Sequence, residues 1–304
     1  MALNAFKCTL ATTVFLCIVP MLETSFEASF EDVCYLVLSA FLGIFIGDGF
    51  WLYALQVLGP RKVIVCDCVK PFLAAAVGYI FLDDEFEYTS VLGIVLTMIG
   101  VLLISLESNS EKENKNESQV KEEEEEKMEA KVKSLEIKSS VRDEESFLSR
   151  ERIGVICAVL NVIFDVLGSF LTRSYGEKMN TFEINTVRFG SASVMLWIAY
   201  LIVVSSSSLS SYDIYRFSSS EGDKMNRKEW SLIALGVLFV TVGCPALSNY
   251  ALFKIELGIC LTLTSIGPLY ALPLTYISKG ESISIRSILA ALLSCGGVAV
   301  LYTL

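Results

Sequence analysis

Long apolar runs separated by short polar breaks organise this chain. Nine segments are apolar over about the length of a bilayer core: 5–22, 33–56, 62–82, 89–106, 153–172, 184–205, 231–253, 256–278 and 284–303. A hydrocarbon core about 30 Å thick takes about 20 apolar residues per helix. Lipid offers no partner to backbone N–H and C=O groups, so each run is expected as a helix. The runs are too long, and too continuously apolar, for the alternating pattern of a membrane strand barrel. The expected fold class is all-α, a polytopic membrane bundle of about nine transmembrane helices. Lys7 followed by apolar residues to Met21 also fits a signal peptide, but the repeat described below favours an ordinary span.

Charge is concentrated in one place. Residues 107–152 hold ten Lys/Arg and fifteen Asp/Glu, leaving 33 charges for the other 258 residues. That stretch, with its run Lys121 to Lys127, lacks the apolar content to pack a core and is expected as a charged linker, disordered or partly helical. Loop 206–229 is serine-rich and polar. Mean hydropathy is +0.57 and net charge −10, which speaks against a water-soluble globule and against a nucleic-acid footprint. Histidine is absent, which removes His-dependent metal sites and Ser-His or Cys-His catalysis. The nine cysteines form no Cys-x-x-Cys and read as small apolar residues. No phosphate-cradling glycine loop and no Gly-x-Ser-x-Gly are present. No metal or cofactor is expected.

The two ends of the chain repeat each other. At an offset of 197, Tyr53-Ala54-Leu55 matches Tyr250-Ala251-Leu252, Pro71 matches Pro268, Tyr79-Ile80 matches Tyr276-Ile277, Asp84 matches Glu281, and Gly100-Val101 matches Gly297-Val298. At a different offset, Asn4-x-x-Lys7 opens the first span as Asn185-x-x-Arg188 opens the sixth. The reading gives a first repeat at 1–106 with four spans, the linker at 107–152, and a second repeat at 153–304 with five. Halves with an odd number of helices insert in opposite orientations, a recurring transporter plan. The missing partner of 153–172 would precede Met1, which leaves either nine helices or a truncated start.

These residues resemble the drug/metabolite transporter superfamily, specifically its tandem EamA-like repeats. The first copy carries Gly47-Asp48, Tyr53-Ala54-Leu55, Leu58-Gly59, Lys70-Pro71, Asp84-Glu85, Gly93 and Gly100-Val101. The second carries Tyr250-Ala251-Leu252, Leu257-Gly258, Gly267-Pro268, Gly280-Glu281 and Gly296-Gly297-Val298. The resemblance implies ten helices, five per half, and export or exchange of small metabolites. It departs in the absent first helix and the long linker.

Ionisable groups inside spans are costly and so are functional candidates. Asp48 lies deep in the second span between Gly47 and Gly49; its ordinary alternative is a hydrogen bond between helices. Asp67 and Lys70, three apart, share a helix face, and Pro71 frees the Asp67 carbonyl. They read as a solute or coupling-ion element, or as an ion pair that only joins helices. Asn161 and Asp165 share a face of the fifth span. Arg188 is placed to hold a substrate carboxylate or phosphate, or to anchor at headgroups. Asn249 is a polar candidate in the seventh span. Trp51, Tyr53, Tyr250 and Tyr270 are candidate cavity aromatics, with helix packing as the alternative. Pro71, Pro245 and Pro268 are candidate hinges. Gly43-x-x-x-Gly47 suits close helix packing.

The function expected is secondary transport of a small organic solute by alternating access, driven by an ion gradient or exchange. The alternative is a non-transporting scaffold or sensor acting through the linker. An intramembrane enzyme comes third, for want of a catalytic pair. Expected partners are the solute and the lipid bilayer, with no nucleic acid and with a homo-oligomer left open. A plasma or bacterial inner membrane is favoured over a eukaryotic endomembrane. Loop charges and family precedent give opposite orientations.

Overall fold

The computed structural model describes residues 2–22, 28–85, 87–105, 137–205, 231, 235–236, 238–267, 269–270, 273 and 284–302. Expectations that fall on Pro268, Tyr276-Ile277, Gly280-Glu281, loop 206–229 and linker residues 106–136 lie outside the described residues. Among the described residues the chain is helical, with no strand. It is an all-α polytopic membrane bundle.

Helix α1 covers Ala2–Ile18 and ends in a 3₁₀ turn, Val19–Leu22. Helix α2, Phe30–Ala40, passes through a π-helical stretch, Phe41–Gly47, into α3, Asp48–Asp67. Then follow α4, Lys70–Phe81, and α5, Tyr88–Ser105. Helix α6 runs Ile137–Tyr175 and α7 Thr181–Ser205. A second π-helical stretch, Leu238–Gly243, leads into α8, Cys244–Leu252. Helices α9, Leu257–Thr264, and α10, Ile285–Tyr302, complete the set. Taken across these breaks, six helical stretches among the described residues are long and apolar enough to cross a membrane, Asn4–Leu22, Phe30–Pro60, Lys62–Phe81, Tyr88–Ser105, Arg150–Tyr175 and Thr181–Ser205, with two shorter apolar ones, Leu238–Leu252 and Ile285–Leu301.

Local chemistry sets the boundaries. Ser29 caps α2 in a reciprocal capping box with Asp32. Gly59 adopts φ +77, a left-handed conformation that a side chain disfavours, and it separates two spans within α3. The break between α3 and α4 falls at Cys68 and Val69, with Pro71 in the first turn of α4. Proline has no N–H to give the Asp67 carbonyl. Asp67 is the last residue of α3 and Lys70 the first of α4.

The chain divides into two compact units, and each takes segments from both halves of the sequence. Unit 1 is Met1–Gly49 with Ile163–Cys260. Its core packs Ala5, Cys8, Ala11 and Phe15 of α1 against Phe189, Ala192 and Leu196 of α7, with Ala40, Ile44 and Val242. Thr9 Oγ1 donates to the Ala5 carbonyl and accepts from Trp197 Nε1 at 2.9 Å, and Ser193 Oγ lies 2.8 Å from it. Such hydroxyl contacts between small residues join helices where lipid gives no hydrophobic drive. On α7 the residues Val194, Trp197, Ile198, Leu201, Ile202 and Val204 are all exposed. A helix apolar on its exposed face as well as its packed face is built for lipid.

Unit 2 is Phe50–Val162 with Leu261–Leu304. Its apolar cluster contains Ala54, Val63, Cys157 and Ala158, with Tyr53, Leu55 and Leu58 against it. Lys62 and Glu151 form an ion pair between α3 and α6. Helices α5 and α10 meet through glycines. A Cβ on Gly100 would stand 2.6 Å from the Ala290 carbonyl, and one on Gly297 would stand 2.5 Å from Thr97 N. The glycines matched by the sequence repeat are thus the ones that let these backbones touch.

Candidate functional site

The polar side chains of unit 1 gather from four stretches of chain. Asp48 opens α3 directly after the π-helical stretch, where the wider turn re-aims the backbone. Its Oδ2 accepts from Lys7 Nζ at 2.7 Å, and both side chains are about a third exposed, at 29% and 30%. The Asn4 side chain, one turn earlier on α1, also hydrogen-bonds Asp48. Asp165 of α6 acts through space on Asp48 and on Arg188 of α7. Two cations and two carboxylates make the cluster neutral in sum, which limits the cost of holding charge inside apolar helices.

A second chain of polar groups starts at Arg188. Its Nη1 points at Asn249 Oδ1 of α8 at 3.5 Å, and Asn249 Nδ2 donates to Asn185 Oδ1 at 2.8 Å. Asn185 and Asn249 are both buried. Gly43 lies under the guanidinium: a Cβ there would stand 3.5 Å from Nη2 and 3.7 Å from Gly168 Cα. The Gly43–Gly168 crossing is reinforced by Ser39 Oγ, which donates to the Gly168 carbonyl at 2.7 Å. The close packing expected of Gly43 is therefore present, and it shapes the floor beneath Arg188.

Asp48, Asp165, Arg188 and Asn249 thus lie in one unit, Arg188 joined to Asn249 by a contact and to the two carboxylates by charge. Asp67, Lys70 and Asn161 lie in unit 2. Asn161 is buried there. Tyr53 packs with Ala54 and Val63. Trp51, Tyr250 and Tyr270 are exposed, and Lys254 Nζ sits 5.9 Å from the Tyr250 ring centroid. Pro71 and Pro245 both occupy the first turn of a helix. Asn4, Lys7 and Asn185 were not among the candidates, although the Asn-x-x-basic repeat marked all three. Lys7 in particular reads from sequence as a charge near a span end, whereas the structure pairs it with Asp48.

The EamA-like transporter family matches residues 1–106 and 152–303, which are the two halves on either side of the charged segment. The chain belongs to the EamA-like transporter family. It is a multi-pass membrane protein, and membership in a family of transporters points to small solutes as its cargo. A solved structure described as "Crystal structure of protein" is similar over 99% of this chain and 87% of its own, with TM-score 0.66 and 12% identity. That likeness is one of fold. No curated protein matches the sequence.

Proposed function

We propose that this EamA-family chain is a secondary transporter that carries a small organic solute by alternating access, without catalysis. The supporting observation is the neutral cluster of Lys7, Asp48, Asp165 and Arg188 within apolar helices. Lipid-spanning helices do not retain four ionisable groups for packing alone, because each is costly to insert.

The mechanism follows from two features. Both halves of the sequence contribute to the cluster, α1 and the start of α3 from one, α6 and α7 from the other. Each half has a π-helical stretch leading into a helix, Phe41–Gly47 before α3 and Leu238–Gly243 before α8. A wide turn in an α-helix is a place where it bends. Matched bends in matched repeats allow two forms of similar energy, each opening the cluster to one face. No nucleotide-binding motif is present in the sequence, so drive comes from an ion gradient or exchange. Asp48 is the carboxylate suited to take up the coupling proton, because protonation releases Lys7. A plasma or inner membrane suits this role.

Uptake of a labelled solute library into proteoliposomes, with and without an imposed pH gradient, tests the proposal. Saturable uptake of some solute that is lost in Asp48→Asn is expected. No flux for any solute, beside a working control transporter, would overturn it.

A further inference from the structure

Arg188 leaves one edge of its guanidinium unanswered. Nη1 faces Asn249 at 3.5 Å, long for a hydrogen bond. Nε is shut off from solvent and has no acceptor among the described residues. The contact with Asn249 also fixes the neighbouring amides. Asn249 turns its oxygen to Arg188, so its Nδ2 donates to Asn185 Oδ1. Asn185 is left with its own Nδ2 buried and without an acceptor among the described residues. Asn185 and Arg188 are three apart on α7 and share a face. Two buried donors without acceptors, side by side, are expensive to maintain. A carboxylate supplies what they lack, since it binds an arginine side-on through Nε and Nη2 in two parallel bonds. Nη2 lies beside Gly43, where an added Cβ would stand 3.5 Å from it, so the absence of a side chain there keeps that half of the fork uncovered by residue 43.

We infer that Arg188, with Asn185 beside it, is the subsite for a single carboxylate group on the transported solute. This rests on the transport reading above and narrows it. A phosphate monoester fits less well. It is mostly dianionic at neutral pH, while Asp48 and Asp165 both act on Arg188. Lys7 and Asp48 offset each other, and Arg188 and Asp165 bring the cluster to neutrality, so a dianion would leave two negative charges unanswered. A monocarboxylate adds only one.

The test uses the full-length protein, purified in detergent and reconstituted in proteoliposomes. The probes are lactate and lactamide, benzoate and benzamide, alanine and alaninamide, and methylphosphonate. Thermal stabilisation reads binding, and uptake of the same compounds reads transport. At least one carboxylate is expected to stabilise the protein and enter the vesicles where its amide does neither. Arg188→Gln should cut the carboxylate-over-amide preference about ten- to a hundredfold, the range of a charge-assisted pair. Arg188→Lys, which keeps the charge but loses the fork, should fall between. Gly43→Ala keeps Arg188 and adds one methyl at ordinary contact distance. It guards against misfolding of the arginine variants, and it should weaken the carboxylate a fewfold and leave the amide unchanged. Equal response to carboxylates and amides, a preference unchanged in Arg188→Gln, or stronger binding of methylphosphonate would overturn the subsite while transport stands. Carboxylate-specific stabilisation without any uptake would support the subsite and overturn transport. Neither stabilisation nor uptake by any probe would overturn both.

Discussion

The Lys7 ammonium donates to the Asp48 carboxylate at 2.7 Å, joining α1 to the start of α3 across 41 residues of chain. The pair sits where the π-helical stretch ends, and it neutralises Asp48 without closing it off, since both side chains keep some exposure. A pair this short gains from its low-dielectric surroundings, yet partial exposure keeps its partners separable.

Breaking the pair on one side leaves a charge among apolar helices. Lys7→Met and Asp48→Leu should each lower stability by about 1–3 kcal/mol, less than a fully buried pair because of the exposure. The double variant should recover most of that loss, because both charges are gone. Thermal melting in detergent measures this. On the transport proposal, uptake should fail in all three, so stability and flux separate in the double variant.

Neighbouring glycines in α10 should behave oppositely. A Cβ at Gly297 would stand 2.5 Å from Thr97 N and 2.8 Å from the Gly93 carbonyl, whereas one at Gly296 meets nothing within 4 Å. Backbone atoms cannot move aside cheaply, so Gly297→Ala should cost about 3 kcal/mol or prevent folding. Gly296→Ala should be neutral or slightly stabilising, as expected for glycine replaced in a helix. Melting temperatures of the two purified variants give the comparison directly.

The same contrast holds across the α2–α6 crossing. At Gly168 a Cβ would stand 3.2 Å from Gly43 Cα and from the Ser39 carbonyl, while at Gly43 the nearest contact is 3.5 Å. Gly168→Ala should destabilise by about 1–3 kcal/mol, and Gly43→Ala by less than about 1 kcal/mol. If Gly43→Ala melts lower than Gly168→Ala, the crossing geometry described here is wrong.

Ser39 and Thr172 share the Gly168 carbonyl. Ser39 Oγ lies 2.7 Å from it, Thr172 Oγ1 2.8 Å, and the two hydroxyls lie 2.8 Å apart. Three contacts have only two hydroxyl protons, so one is always unfilled. Removing either hydroxyl leaves the other to satisfy the carbonyl. Ser39→Ala and Thr172→Val should each cost only about 1 kcal/mol. The double variant should cost more than their sum, because the carbonyl then loses both extra donors. A double-mutant cycle of thermal unfolding measures the excess.

How far the site was legible differs residue by residue. Asp48, Asp165 and Arg188 were singled out because charge in an apolar run is conspicuous at any position. Their mutual arrangement was not legible, nor was the pairing of Asp48 with Lys7, which looked like an anchoring charge. The Asn4-x-x-Lys7 and Asn185-x-x-Arg188 repeat was visible, but as a mark of duplication; nothing in the spacing says that both motifs turn inward. Asp67 and Lys70 were conspicuous by the same rule, and Pro71 beside them marks where α3 gives way to α4.

The sequence by itself determined that the chain is a helical membrane bundle, where its main spans lie, and that its halves are related. Those properties follow from local composition and from matches along the chain, because insertion into lipid depends on how apolar about 20 consecutive residues are. Only the tertiary structure decided that units 1 and 2 each draw on both halves, that Lys7 answers Asp48, and that Arg188 lies beside Gly43 with Nε buried and without an acceptor among the described residues. Each of these depends on which face of a helix meets which neighbour. In helices apolar nearly all round, periodicity does not mark that face, and backbone approach at glycines and the placement of a few polar groups choose it instead.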